Sequence, residues 1–168
     1  LRTLHIITGP PGAGKTTFGR ELAAKKQATF IDIDTSTETM VKAALHAMER
    51  NPDDRDSPFF KTNFRDPIYE TLFTIAKDNL PHNDVIITGP FTKEKKNADW
   101  IDELADRFKT IVLAYYIHCS TEERRKRLLN RGNPRDRDKL EDWNSFLKYY
   151  GDESPPAYPH TFVRSNSS

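Results

Sequence analysis

The chain holds one cysteine, Cys119, in 168 residues, so no disulfide can close within it, and no C-x-x-C or Cys/His cluster offers a metal or redox site. It also lacks an excess of charge of one sign. Lys+Arg 26 against Asp+Glu 25 leaves +1, which removes the global field by which nucleic-acid or anionic-membrane binders attract their partners. Any basic surface must therefore be local. No apolar run approaches the roughly 18 residues of a membrane span, and Leu1 to Ile7 is too short for a signal-peptide core. A cytoplasmic protein without a membrane partner is expected. Internal repeats and low-complexity tracts are absent as well. The length suits a single domain over residues 1–168, able to bury a core without a metal or disulfide staple.

What is present begins at residue 9. Gly9-Pro-Pro-Gly12-Ala13-Gly14-Lys15-Thr16 matches G-x-x-x-x-G-K-[ST] at every fixed position. The apolar run Leu4 to Ile7 precedes it as a buried strand, and Thr16 to Lys26 follows with Phe18, Leu22 and Ala23 at helical spacing. Glycines let consecutive N–H groups of the loop, Gly9, Gly12, Ala13 and Gly14 among them, turn inward around an anion. Lys15 adds a mobile charge for the β- and γ-phosphates, which makes it a catalytic candidate. The Thr16 hydroxyl is placed to ligate Mg²⁺ and Thr17 to donate to the α-phosphate. ATP and Mg²⁺ are the cofactors this implies. The competing reading is a glycine-rich turn before an ordinary helix.

Four further strands are predicted, at Ala28–Ile33, Asp84–Thr88, Thr110–Ile117 and His160–Arg164, with helical patterns between them. This alternation predicts an α/β P-loop NTPase fold, a five-stranded parallel sheet with helices on both faces and ligands at the carboxyl ends of the strands. Residues 36–83 form a helical substrate-binding region. Within it, Thr37–Arg50 reads as a helix with Met40, Ala44, Leu45 and Met48 apolar, and Pro67–Leu80 as another with Ile68, Leu72, Ile75 and Ala76. Asn51 to Pro58 reads as a polar connection.

Asp32 and Asp34 end the second strand, and the period of two sets them on one face. Asp34, nearer the end, is the candidate to orient and deprotonate an attacking hydroxyl, and Asp32 to serve the Mg²⁺ shell. Alternatively Asp34 caps the following helix. Further on, residues 120–139 form a lid region. Eight basic residues stand against four acidic ones from Thr121 to Lys139, behind a capping box at Ser120-x-x-Glu123. Arg127 and Arg131 lie four apart and share a helix face. Gly132-Asn-Pro134 then breaks the helix and presents Arg135 and Arg137 on a loop. Arg127 and Arg135 are nucleotide-binding candidates, and Arg131 is the guanidinium expected to meet charge on the transferring phosphoryl group. A solvated amphipathic helix, balanced by Glu122, Glu123, Asp136 and Asp138, is the bland alternative.

Gly9–Thr17, Ile31-Asp32-Ile33-Asp34 and the arginine-rich segment together resemble the small P-loop kinases, which include shikimate and gluconate kinases, chloramphenicol phosphotransferase, zeta-toxin-like kinases and the kinase domain of polynucleotide kinases. The resemblance implies phosphoryl transfer from ATP to a hydroxyl, a mobile lid, and Asp34 as the base. It also implies that Arg65, in Phe64-Arg65-Asp-Pro-Ile-Tyr69, holds substrate. The third strand carries no Walker-B acid before Gly89; the resemblance implies that Gly89 lets backbone N–H groups approach the γ-phosphate. The acceptor is an unidentified hydroxyl compound. A 5′-hydroxyl polynucleotide or a nucleoside is a less favoured acceptor, given the near-zero net charge and the lack of a basic strip interleaved with aromatics. A nucleotide-binding regulatory protein without transfer activity is the third reading. Oligomeric state is not legible.

Overall fold

The computed structural model describes residues 1–150 and 154–165. Five strands, β1 (Thr3–Thr8), β2 (Thr29–Asp32), β3 (Val85–Thr88), β4 (Ile111–His118) and β5 (Thr161–Arg164), form one sheet in the order β2-β3-β1-β4-β5. Every neighbouring pair is parallel. β1 is buried on both faces through Leu4, His5, Ile6 and Ile7, which suits a central strand covered from both sides. The helices are α1 (Lys15–Lys26), α2 (Ile33–Ala47), α3 (Pro58–Asn63), α4 (Arg65–Asn79), α5 (Trp100–Phe108), α6 (Thr121–Arg131), α7 (Arg137–Glu141) and α8 (Trp143–Tyr150).

Strand alternation sorts the apolar side chains to two sides. Ile7, Ile86 and Ile117 pack with Ala23, Phe18 and Leu22 of α1. Leu4, Ile6, Val85 and Ile87 pack with Leu72, Phe73 and Ala76 of α4 and with Trp100, Ile101 and Leu104 of α5. Each fully buried Leu or Ile contributes about 1.5–3 kcal/mol, so this core fixes the strand ends that carry the site. Among the described residues, no helix is long and apolar enough to cross a membrane.

α1 sits so close to the sheet that a Cβ at Gly19 would come 2.7 Å from the Phe30 ring and 2.7 Å from the Thr88 methyl group. Gly19→Ala should therefore lower stability by a net of up to ~2 kcal/mol in denaturant unfolding. Crowding costs about 1–3 kcal/mol and outweighs the gain of about 1 kcal/mol in helix propensity. A stabilised variant would mean that the Phe30 ring simply swings aside.

The region between β2 and β3 departs most from its sequence reading. α2 starts at Ile33, not Thr37, because Asp32 caps it, its side chain accepting from the N–H groups of Asp34 and Thr35. Asp34 thus lies in a helical first turn and not at a strand end. The buried face of α2 is Val41 and Leu45, whereas Met40 and Met48 are exposed. α3 matches no predicted element, and only its first residue, Pro58, falls in the Asn51 to Pro58 connection. Ser57 caps it by accepting from Phe60 N–H, and Pro58 opens it. Val41, Leu45 and Phe60, with Phe59, Phe64 and Ile68, make a satellite core of their own. After α6, Pro134–Asp136 forms a 3-10 turn and Arg137 begins α7, so that stretch is not an open loop.

Candidate active site

The phosphate loop joins the centre of the sheet to α1, at the point where strand order reverses on either side of β1. Gly14 caps α1 at φ 103° and Gly12 lies at φ 80°, left-handed backbone that lets the loop curl back over the helix N-terminus. Lys15 Nζ donates to the Pro10 carbonyl at 3.0 Å, which holds the side chain against its own loop. Burial lowers its pKa to about 8; Asp34 and Asp32 oppose that fall, and Arg131 and Arg124 add to it.

A cleft of about 740 Å³ opens beside this loop, within the range of small-ligand sites. Gly12, Gly14, Lys15, Thr16, Thr17, Asp32, Asp34, Arg65, Arg127, Arg131 and Arg135 all line it. The two acids occupy different environments. Asp32 is buried; its Oδ2 accepts from the hydroxyls of Thr16 and Thr88, each at 2.8 Å, and its Oδ1 from the N–H groups of Asp34 and Thr35 at 3.0 and 3.1 Å. Burial alone would raise its pKa, yet these hydrogen bonds from Thr35, Thr88, Thr16 and Asp34 hold the carboxyl below its usual value. Asp34 is 43% exposed and takes a bidentate pair from Arg135, at 2.6 and 2.7 Å.

The missing Walker-B acid has a counterpart here. Thr88, at the end of β3, sits in register with Asp32 on β2 and donates to it, so a carboxylate from the neighbouring strand stands beside Thr16. A threonine hydroxyl and one carboxylate suit Mg²⁺, which keeps several waters and takes phosphate oxygens for the rest of its shell. Among the described residues no group of three or more His, Cys, Asp or Glu side chains forms a closed metal cage.

Other candidates sit differently from their sequence reading. Gly89 does not line the cleft, and its N–H is already spent on the Ile7 carbonyl at 3.1 Å, so it has no donor left for a γ-phosphate. A Cβ there would come 3.2 Å from the Phe91 ring and 3.3 Å from the Tyr69 ring, so the small residue suits the packing of these rings. Gly9 lies outside the cleft lining too, where a Cβ would come 2.7 Å from the Ile117 carbonyl, and Ala13 is buried beneath the loop. Arg131 faces the cleft but donates through two nitrogens to the buried Asp136, at 2.6 and 2.8 Å. Arg127 bridges the loop to the residue that follows the last strand, donating to the carbonyls of Gly12 and Ala13 and to Ser165 Oγ. Arg65 pairs with Glu94 at 2.7 Å and lies over Tyr69. Arg137 is exposed and lines nothing in the cleft. Sequence reasoning named no role for Arg55, Lys61, Arg164 or, within the lid region, Lys139, four further cations on the cleft wall. The first was hidden in a stretch read as a connection, and its only signal was charge.

A glycine phosphate loop at the switch point of a parallel sheet, with helices on both faces, defines a P-loop domain. The chain belongs to the AAA domain family, whose model matches residues 4–151. No curated protein matches it significantly. Among solved structures it is similar to a protein from Chloroflexus aurantiacus described provisionally as a kinase, at 19% identity and a TM-score of 0.69, covering 97% of this chain and 88% of that one. It is also similar to a sugar kinase from a Janibacter species (16% identity, TM-score 0.57, 98% and 84% covered) and to a gluconokinase from Sinorhizobium meliloti (15% identity, TM-score 0.55, 100% and 85% covered).

Proposed function

We propose that the protein transfers the γ-phosphoryl group of ATP to a hydroxyl of a small molecule. The observation that carries this reading is the division of labour between the acids: Asp32 is locked to Thr16 and Thr88 by hydrogen bonds, while Asp34 faces the cleft, half-exposed and paired with Arg135. A nucleotide sensor needs the first acid but has no use for the second. In the step itself, the acceptor oxygen forms a bond to the γ-phosphorus as the bond to the β–γ bridging oxygen breaks. ADP leaves with that electron pair, and the hydroxyl proton passes to Asp34.

The other parts follow. Loop N–H groups and Lys15 hold the β- and γ-phosphates, and Thr16 with Asp32 would hold Mg²⁺, which neutralises phosphate charge when bound. Arg127, Arg131 and Arg135, from the segment over the loop, exclude water and add positive charge. Because Arg135 is seated on Asp34, it must let go before Asp34 can take a proton; the triphosphate offers it a competing anion. Screening hydroxyl compounds with labelled ATP and Mg²⁺ tests the reading, since a kinase turns ATP over in an acceptor-dependent way.

Nucleotide affinity should also depend on pH. Free Lys15 loses its proton near pH 8 while a bound triphosphate would keep it charged, so affinity for Mg²⁺ and a nonhydrolysable ATP analogue should be level below about pH 8 and fall as pH rises above it. Lys15→Arg, charged throughout, should flatten the calorimetric profile. A wild-type profile already flat from pH 7 to 10 would count against a desolvated Lys15 in the phosphate site.

A further inference from the structure

Most cations on the wall of the cleft already have a carboxylate. Arg135 is held by Asp34, Arg65 by Glu94 at 2.7 Å and Lys139 by Asp56 at 2.7 Å. Arg55 has none within ion-pair distance among the described residues. Its Nη1 donates to the carbonyls of Pro52 and Asp54, at 2.9 and 2.6 Å, and its guanidinium carbon lies 5.4 Å from the centre of the Phe60 ring. One edge of the guanidinium is therefore fixed. The other is not satisfied: Nη2 is buried and has no hydrogen-bond partner among the described residues. A charged donor in that state is costly unless a ligand supplies the acceptor, and Arg55 lines the cleft where such a ligand would lie.

The charges near Arg55 are already engaged with other partners. Burial lowers the Arg55 pKa, with Glu38, Asp34 and Asp53 opposing and Arg135 adding to the fall. All three acids are committed elsewhere. Glu38 lies 3.4 Å from Lys42 and 3.9 Å from Arg135, Asp53 lies 3.7 Å from Lys42, and Asp34 takes the bidentate pair from Arg135. When Asp34 turns to an acceptor hydroxyl, two guanidinium groups lose screening at once. A second negative group on the acceptor restores the balance, and carboxylate and phosphate oxygens both fit a guanidinium edge.

We propose that Arg55, with Lys61 of α3 on the same cleft wall, is an anion subsite for the acceptor, and that the alcohol phosphorylated at Asp34 carries a carboxylate or phosphate as its second group. The proposal rests on the kinase reading of the cleft. Because Arg55 and Asp34 line one cavity, hydroxyl and anion belong to one small molecule.

The test fills the phosphate loop first. Protein saturated with Mg²⁺ and a nonhydrolysable ATP analogue is titrated with acetate, inorganic phosphate and glycerol while arginine side-chain resonances are followed by NMR. Acetate or phosphate should shift the Arg55 signals saturably and glycerol should not. Arg55→Gln should weaken that binding about 10 to 100-fold, the loss expected for a charged hydrogen bond, and Arg55→Lys should keep part of it. Stronger binding of acetate points to a hydroxy acid, and stronger binding of phosphate to a phosphorylated alcohol. If neither anion binds the analogue-saturated protein, or both bind folded Arg55→Gln unchanged, the subsite is overturned while the kinase reading stands. If the analogue itself fails to bind, the kinase reading falls and takes the subsite with it.

Discussion

Lys15→Ala should weaken ATP binding about 10 to 100-fold and slow phosphoryl transfer by at least about 10²–10³-fold, the range for removing a charged hydrogen bond in the ground state and a charge donor in the transition state. The fold should persist. Lys15 donates to Pro10 of its own loop and to no core element, so its loss leaves the sheet and α1 in place. Desolvation of the ammonium is a cost that Asp34 and Asp32 offset in part, so removing it should leave the stability of the free protein unchanged or slightly higher. Calorimetric titration with the ATP analogue, paired with thermal unfolding, separates the two effects. An unfolded variant would mark Lys15 as structural, and undiminished binding would remove the phosphate-site assignment.

Asp34→Asn should leave nucleotide binding within a few-fold of the parent and slow transfer about 10²–10⁴-fold, the usual loss for a positioned proton acceptor. The amide keeps the shape but cannot accept the proton. It also frees Arg135 from its bidentate pair, so nucleotide affinity is expected to hold or to rise. Asp32→Asn should behave differently. That carboxylate accepts from Thr16, Thr88 and two N–H groups, so an amide there puts an N–H₂ against donors and should blunt the Mg²⁺ response and lower stability. Full activity in Asp34→Asn with loss in Asp32→Asn would reverse the roles of the two acids.

How much of this the sequence carried depends on the range of the interactions. β1, the phosphate loop and α1 are legible because strand, glycines and helix are local and contiguous, and the paired acids and arginine cluster are legible as types in order. The reach of each was not. Asp32 looked like half of a strand-end pair, but its side chain folds back on Asp34 and Thr35 and ends the strand, a choice decided by capping geometry. Of the apolar face read from Met40, Ala44, Leu45 and Met48, Leu45 is buried but Met40 and Met48 are exposed, and Val41 joins Leu45 against Phe60 of α3, which is too short to show periodicity. Gly89 reads as an opening toward phosphate, whereas the Tyr69 and Phe91 rings crowd it, and the contact with Tyr69 spans 20 residues of sequence that no local pattern shows. The same holds for Arg131, whose partner is the buried Asp136, and for Arg135, whose partner is Asp34 from the other side of the cleft.

The central claim is that Asp34 receives the proton of an acceptor hydroxyl as ATP gives up its γ-phosphoryl group. Its most direct test follows γ-labelled ATP by phosphorus NMR in the presence of Mg²⁺ and pooled hydroxy acids, phosphorylated alcohols and their neutral analogues, with the wild-type protein and Asp34→Asn in parallel. The account predicts a phosphate-ester signal that needs both acceptor and wild-type Asp34, with little inorganic phosphate released when acceptor is absent. Inorganic phosphate formed at the same rate with or without acceptor, or ester formed equally well by Asp34→Asn, would contradict it.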